Sequence, residues 1–163
     1  MSTSDISRLR ALEEADRPLL SSLLESVEVF YPYEVAEAVR QFDDYLRGPS
    51  RQTTFHRGLF SETGDLQAYL SLCSDPSSDH YWKLNWLVVS PRLQGQGTGS
   101  ELLMLAHSDV RQRGGKAILV ETGSNEGYAR TRHFYEIHGY KQVGRIPLFF
   151  SLEDDKVIYV KLF

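Results

Sequence analysis

The stretch from Trp86 to Ala106 constrains this chain more than any other. Trp86-Leu87-Val88-Val89 is apolar on both faces, as a central strand is. Three alternating glycines, Gly95, Gly97 and Gly99, follow it. Glu101-Leu102-Leu103-Met104-Leu105-Ala106 then opens an amphipathic helix. Glycine lacks Cβ, so all three positions can take positive φ and admit a ligand against the backbone. The first helical turn adds amide N–H groups without intrahelical partners, at the positive end of the helix dipole. Strand, loop and helix together make a cradle for a pyrophosphate. An ordinary glycine-rich turn is the alternative.

Spacing decides which cradle it is. A dinucleotide fingerprint needs G-x-G-x-x-G, and the loop runs G-x-G-x-G. A P-loop ending at Gly115-Lys116 would need glycine where Val110 stands, and Ala117 follows the lysine. The pattern that fits is Q/R-x-x-G-x-G/A, written here as Gln94-Gly95-Gln96-Gly97-Thr98-Gly99. It resembles the coenzyme A loop of the GNAT superfamily of N-acetyltransferases.

The 163 residues suffice for one domain with a core of its own. A net charge of −4 argues against a nucleic-acid binder, which carries a basic face. It leaves room for an anionic ligand held by backbone amides. No run approaches the ~20 apolar residues of a membrane span. Met1-Ser2-Thr3-Ser4-Asp5 has neither the charge nor the apolar stretch of a signal peptide. Cys73 is the only cysteine, which leaves no disulfide framework or thiolate metal site and makes it a small core residue. A cytoplasmic location is expected.

Along the chain, Ile6 to Arg10 is a possible first strand. Asp16 is the expected N-cap of a helix with Pro18 in its first turn and a stripe of Leu19, Leu20, Leu23 and Leu24. A second helix is predicted from Tyr33 to Leu46, stopped by Gly48-Pro49. Arg51 to Phe60 and Asp65 to Cys73 form a hairpin around Glu62-Thr63-Gly64. A strand from Tyr81 to Val89 leads into the glycine loop and a helix to about Arg113. Ala117 to Glu121 is a buried strand, and a helix from about Tyr128 to His138 ends at Gly139. Strands near Val143 and from Lys156 to Leu162 flank a turn at Glu153-Asp154-Asp155. Strands alternating with helices, with hairpins at both ends, predict a mixed α/β sheet.

Phe134-Tyr135-Glu136-Ile137-His138-Gly139-Tyr140 is the second informative segment. It matches the F/L-Y-x-x-x-G-F/Y element of GNAT enzymes, in the family's order after the glycine loop. Glu121-Thr122 at a strand end and Asp154-Asp155 before the last strand are similar to the small single-domain members. The resemblance implies one GNAT domain over residues 1–163. Its fold would be α/β (α+β): a mostly antiparallel twisted sheet with two central parallel, splayed strands and helices on both faces. It also implies that backbone groups of Leu87, Val88 and Val89 bind pantetheine as an added strand. Gln94, Gly95, Gln96, Gly97, Thr98, Gly99 and Ser100 would hold the pyrophosphate of acetyl-CoA. Ligands in open α/β sheets do sit at the carboxyl ends of strands.

Moving an acetyl group from a thioester to an amine poses two proton problems. A lysine-like amine is only about one part in 2,500 free base at pH 7, so it must shed a proton. The thiolate leaves faster when an acid protonates it. Tyr135 holds the place of the family's general-acid tyrosine; as a plain core aromatic it would need only a satisfied hydroxyl. Phe134 and Ile137 are better suited to that core role. Glu121, at the end of a central strand, is a candidate base if partial burial raises its pKa. The alternative is a structural carboxylate paired with Arg130 or Arg132.

The resemblance places the acceptor near Tyr33 and Glu34, and near Phe149 and Asp155, which makes Glu34 and Asp155 further candidates for the base. Many family members have asparagine seven residues before the tyrosine. Here that place is Tyr128, and Asn125 lies ten residues before it, which leaves that cofactor contact open between them. Arg92, Arg130 and Arg132 are candidates for the phosphates or for solvated surface. His133 and His138 are five residues apart and point to different helix faces, and no H-E-x-x-H run exists, so no metal is expected. The expected partner is a small-molecule or peptide amine, with no nucleic acid or membrane, on a monomer or homodimer. A non-catalytic acyl-CoA sensor or scaffold is the rival reading.

Overall fold

The computed structural model describes residues 8–48 and 53–163. The expected strand starts at Ile6 and Arg51, and the stop at Pro49, lie outside them. The elements run β1 (Leu9–Ala11), α1 (Arg17–Glu25), α2 (Pro32–Arg47), β2 (Thr54–Phe60), β3 (Leu66–Ser74) and β4 (Tyr81–Val89). They continue with α3 (Thr98–Gln112), β5 (Ala117–Gly123), α4 (Ala129–Ile137), β6 (Lys141–Ser151) and β7 (Asp154–Leu162). The sheet order is β1-β2-β3-β4-β5-β7-β6, mostly antiparallel, with β4 and β5 parallel.

The chain divides into two compact units, Met1–Cys73 with Trp86–Ala106, and Ser74–Asn85 with His107–Phe163. In the first, side chains alternate across the sheet as strand geometry requires. Tyr69 and Val88 face a core with Leu20, Leu24, Val39 and Phe42 of α1 and α2. On the opposite face Leu59, Ala68, Leu87 and Val89 pack with Leu102 and Leu105 of α3. Helices therefore cover both faces of this unit. The leucine stripe of α1 is as predicted, and Asp16 stands at its N-cap position, but its side chain makes no capping hydrogen bond. Its carboxylate instead takes the Glu13 N–H at 2.8 Å and two hydrogen bonds from Arg10 at 2.6 and 2.8 Å.

In the second unit, the parallel ladder runs from Tyr81↔Ala117 to Leu84↔Val120 and stops. β5 continues to Gly123 against β7, whose other edge pairs with β6. Tyr159 of β7 donates its hydroxyl to Glu136 Oε1 of α4 at 2.9 Å, which fastens that helix to the sheet. β6 is far longer than the short strand expected near Val143. Its side chains are mostly exposed and Pro147 interrupts it, so an edge strand of this kind lacks the alternation that reveals strands in sequence.

Candidate active site

The glycine loop is built as its sequence requires, with one difference. Gly95 and Gly97 take φ of +74° and +89°, whereas Gly99 lies in the first turn of α3. A Cβ built on Gly95 or Gly97 would meet nothing within 4 Å. The loop is closed by its own glutamines: Gln94 Nε2 donates to the Val89 carbonyl at 3.0 Å, and Gln96 Nε2 to the Arg92 carbonyl at 2.6 Å. Glu101 N–H makes a helical bond to Gly97 O at 3.1 Å, so the amides of Thr98, Gly99 and Ser100 precede it at the start of α3. Leu87, Val88 and Val89 belong to the part of β4 beyond the parallel ladder. The Val89 carbonyl, expected to serve pantetheine, is thus already shared with Gln94.

Tyr135 sits near the end of α4, only 7% exposed. The helix stops in a Schellman motif: Tyr140 N–H donates to Tyr135 O at 3.0 Å and Gly139 N–H to Glu136 O at 3.0 Å. Gly139 supplies the left-handed φ of +81° that this stop needs. The rings of Tyr135 and Tyr140 meet edge to face at 5.3 Å, the apolar contact that accompanies such a cap. The glycine and final aromatic of the sequence motif are therefore the physical stop of the helix that carries the tyrosine. Burial pushes the Tyr135 phenol well above its usual range, so it is protonated at neutral pH. The core role expected for Ile137 is not observed, since that side chain is exposed and Tyr135 is the buried one.

Glu121 has partners that sequence spacing did not reveal. Lys83 donates to Glu121 Oε2 at 2.9 Å, and Lys156 Nζ lies 3.2 Å from the same oxygen. Burial raises the carboxyl's pKa, but Lys83 and then Lys156 outweigh it and bring the net shift below the ordinary value. The elevated pKa expected for a base is therefore not found, and the partners are lysines rather than the arginines of the structural alternative. Lys156 also lies over the Phe149 ring, 3.5 Å from its centroid, which brings Glu121 and Phe149 into one cluster.

Asp154 and Asp155 each fasten a loop. Asp154 accepts from Ser124 N–H at 2.7 Å, Asn125 N–H at 3.0 Å and Asn125 Nδ2 at 2.7 Å. Arg132 adds hydrogen bonds to the Gly123 and Asn125 carbonyls, both 2.8 Å. Asn125 and Arg132 thus spend these groups inside the protein, and Tyr128 is buried. Asp155 accepts from Leu148 N–H at 2.7 Å and pairs with Arg145; those two contacts, in that order, hold its carboxyl below the usual range. Leu148 is the one non-glycine residue at positive φ among those described, +56°. In the first unit, Glu34 Oε2 accepts from Tyr31 N–H at 2.9 Å at the start of α2, and the exposed Tyr33 stacks on Tyr31 at 5.7 Å. Asp154 and the two lysines were missed as site residues because their partners lie some 30 or more positions away in sequence.

The model of the Acetyltransferase (GNAT) family matches residues 11–140. A crystal structure from Desulfovibrio desulfuricans, assigned to the GNAT family of acetyltransferases, superposes with a TM-score of 0.87 at 28% identity, covering 94% of this chain and 97% of that one. An aminoglycoside 6'-N-acetyltransferase complexed with coenzyme A gives a TM-score of 0.72 at 19% identity, over 94% and 96% of the two chains. The ribosomal-protein-S18-alanine N-acetyltransferase from Escherichia coli gives 0.75 at 18% identity, over 94% and 92%. The last two likenesses are of fold. No curated protein matches the chain by sequence.

Proposed function

This chain belongs to the GNAT family of acetyltransferases, and from that premise we propose that it transfers an acetyl group from acetyl-CoA to a primary amine of a small molecule or peptide by direct attack in a ternary complex. One observation carries the reading: Gly95 and Gly97 present left-handed backbone with open space beside it, at the entrance to α3. Phosphate oxygens are suited to such a place, where amide N–H groups and the helix dipole act together. Gln94 through Ser100 would hold the pyrophosphate, and Leu87, Val88 and Val89 the pantetheine amides. The end of the parallel ladder at Leu84↔Val120 supports the second assignment, since strand residues past it need other partners.

The amine nitrogen forms a C–N bond to the acetyl carbon while the C–S bond breaks. The nitrogen sheds one proton and the departing sulfur gains one. Tyr135, protonated at neutral pH, is the donor to sulfur. Glu121 is the candidate acceptor for the amine's proton, directly or through water. Its two lysines keep it ionised and make it a weak base. Tyr33, Glu34, Phe149 and Asp155 are the candidate acceptor contacts.

The test follows thiol release from acetyl-CoA with a panel of primary amines that includes tyramine, spermidine, kanamycin and a peptide beginning with alanine. Release matched by acetylated amine is expected. Binding of acetyl-CoA without release would favour a non-catalytic acyl-CoA-binding protein. Tyr135→Phe should lower kcat by ~10²–10⁴ with acetyl-CoA affinity nearly intact. Unchanged turnover, with chemistry rate-limiting, would return Tyr135 to the core.

A further inference from the structure

The Schellman stop of α4 needs a glycine at 139 and an apolar ring at 140; it does not need the hydroxyl of Tyr140. Phenylalanine there would keep both backbone hydrogen bonds and the edge-to-face contact with Tyr135. The hydroxyl is nevertheless engaged. It shares a 3.0 Å hydrogen bond with Nε2 of His107 on α3, and both residues are buried. A buried polar pair costs desolvation on both sides, which the hydrogen bond offsets only when its geometry is held.

His107 is held from its other side as well. The ring of Phe163 meets it at 5.3 Å and an interplanar angle of 64°, and the Phe163 N–H donates to the Lys116 carbonyl at 2.9 Å. The rings Phe163, His107, Tyr140, Tyr135 and Phe134 therefore form a continuous row with centroids 5.3 to 5.8 Å apart. The hydroxyl oxygen of a tyrosine lies on the axis of its final torsion, so ring rotation leaves it in place. Tilting of the whole ring about the preceding bonds moves it, and a fixed neighbour opposes that tilt. In this row the Tyr140–His107 hydrogen bond pins the far end of the ring against which Tyr135 packs.

We propose that His107 and Tyr140 are positioning residues that limit the tilt of the Tyr135 ring, and so fix the place of its hydroxyl. The proposal rests on the reading of Tyr135 as the acid, and its consequence is kinetic. Displacing a reacting group by ~1 Å costs about 10²-fold, so a smaller loss of alignment should cost roughly tenfold.

Two measurements on the 163-residue chain test it. In the first, Tyr140→Phe should lower kcat roughly tenfold for the fastest amine of the panel, with KM for acetyl-CoA within about twofold. In a Tyr135→Phe background the same substitution should change nothing, because the group it aligns is gone. Equal losses in both backgrounds would reduce the pair to a structural role and overturn the proposal. His107→Gln, whose amide can donate or accept, should retain most of the native kcat, whereas His107→Leu should match Tyr140→Phe. In the second, the 3-fluorotyrosine NMR signal that vanishes in Tyr135→Phe should shift in Tyr140→Phe and His107→Leu and return to place in His107→Gln. A signal unmoved by Tyr140→Phe overturns the proposal whether or not an acceptor is known. If Tyr135→Phe leaves kcat intact while the signal moves, the acid assignment fails and the positioning contact stands.

Discussion

Gly97 and Gly139 take nearly the same left-handed backbone, φ +89° and +81°, in opposite surroundings. Around Gly139 the protein completes the turn. The amides of Gly139 and Tyr140 donate to carbonyls of α4, the Tyr140 ring packs on Tyr135, and a Cβ at Gly139 would meet Lys161 Nζ at 2.9 Å. Around Gly97 a Cβ would meet nothing within 4 Å. One glycine is accounted for by helix termination alone. The other takes a left-handed conformation that glycine adopts readily and other residues do not, beside open space. The difference separates a turn made for the fold from a turn whose exposed backbone is suited to a ligand.

The sharpest way to break that contrast is Gly97→Val. A β-branched residue at this φ is strained, and its methyls would fill the space assigned to phosphate. We expect acetyl-CoA affinity to fall by more than ~10²-fold, or ~2.7 kcal/mol, while the protein stays folded. Isothermal titration calorimetry on a folded variant checks it. Unchanged affinity would make the loop an ordinary turn.

Next in size is Glu121→Gln. If Glu121 accepts the amine's proton, activity at pH 7 should drop about 10²-fold, near the low end for general bases because its lysines weaken it. The defect should shrink as pH rises and more amine arrives deprotonated. A structural Glu121 predicts instead a lower melting temperature and a loss of activity that is flat with pH. Rate against pH for the two proteins discriminates.

The contrast also marks what sequence can and cannot disclose. Gly95, Gly97 and Gly139 were legible because a left-handed turn leaves a local signature, and β4 emerged within its observed bounds because a buried strand is a continuous apolar run. The Lys83–Glu121–Lys156 cluster was not legible. Its members lie 38 and 35 residues apart and meet only through strand pairing. Asp154 was visible as a motif residue, yet its work on the Ser124–Asn125 loop depends on a contact spanning 30 positions. Gly99 misled, since the alternation of three glycines hides that α3 has already begun.

Gly139→Ala should invert the phenotype of Gly97→Val. An alanine at positive φ costs ~1–2 kcal/mol, and the ammonium of Lys161 can move aside. The expected outcome is a melting temperature lower by roughly 2–8 °C with acetyl-CoA affinity unchanged. Thermal unfolding and calorimetry on one preparation check both halves. A loss of affinity equal to that of Gly97→Val would erase the distinction between the two turns.

The smallest expected effect concerns a feature that the two units share. Each buries one histidine against a tyrosine hydroxyl: His56 with Tyr69 at 2.6 Å, and His107 with Tyr140 at 3.0 Å. Burial brings both imidazoles from the ordinary 6.5 down to about 4; around His107 the charges of Lys161, Arg111 and His138 add to it. Between those pH values the unfolded chain binds more protons than the folded one, so stability rises with pH. It is complete above about pH 6.5 and is lost as pH falls toward 4. Glu121 and Asp155 are shifted downward from carboxylate values, so their contribution is lost only at lower pH. Cooling of the melting temperature between pH 7 and 5.5 therefore reports the histidines. Each should contribute about 1 kcal/mol by pH 5.5, or roughly 2–4 °C. His56→Gln and His107→Gln should each remove part of that slope, and the double variant should remove both parts, since each imidazole bonds its own tyrosine. A slope unaffected by either substitution would mean that neither imidazole is held neutral by its surroundings.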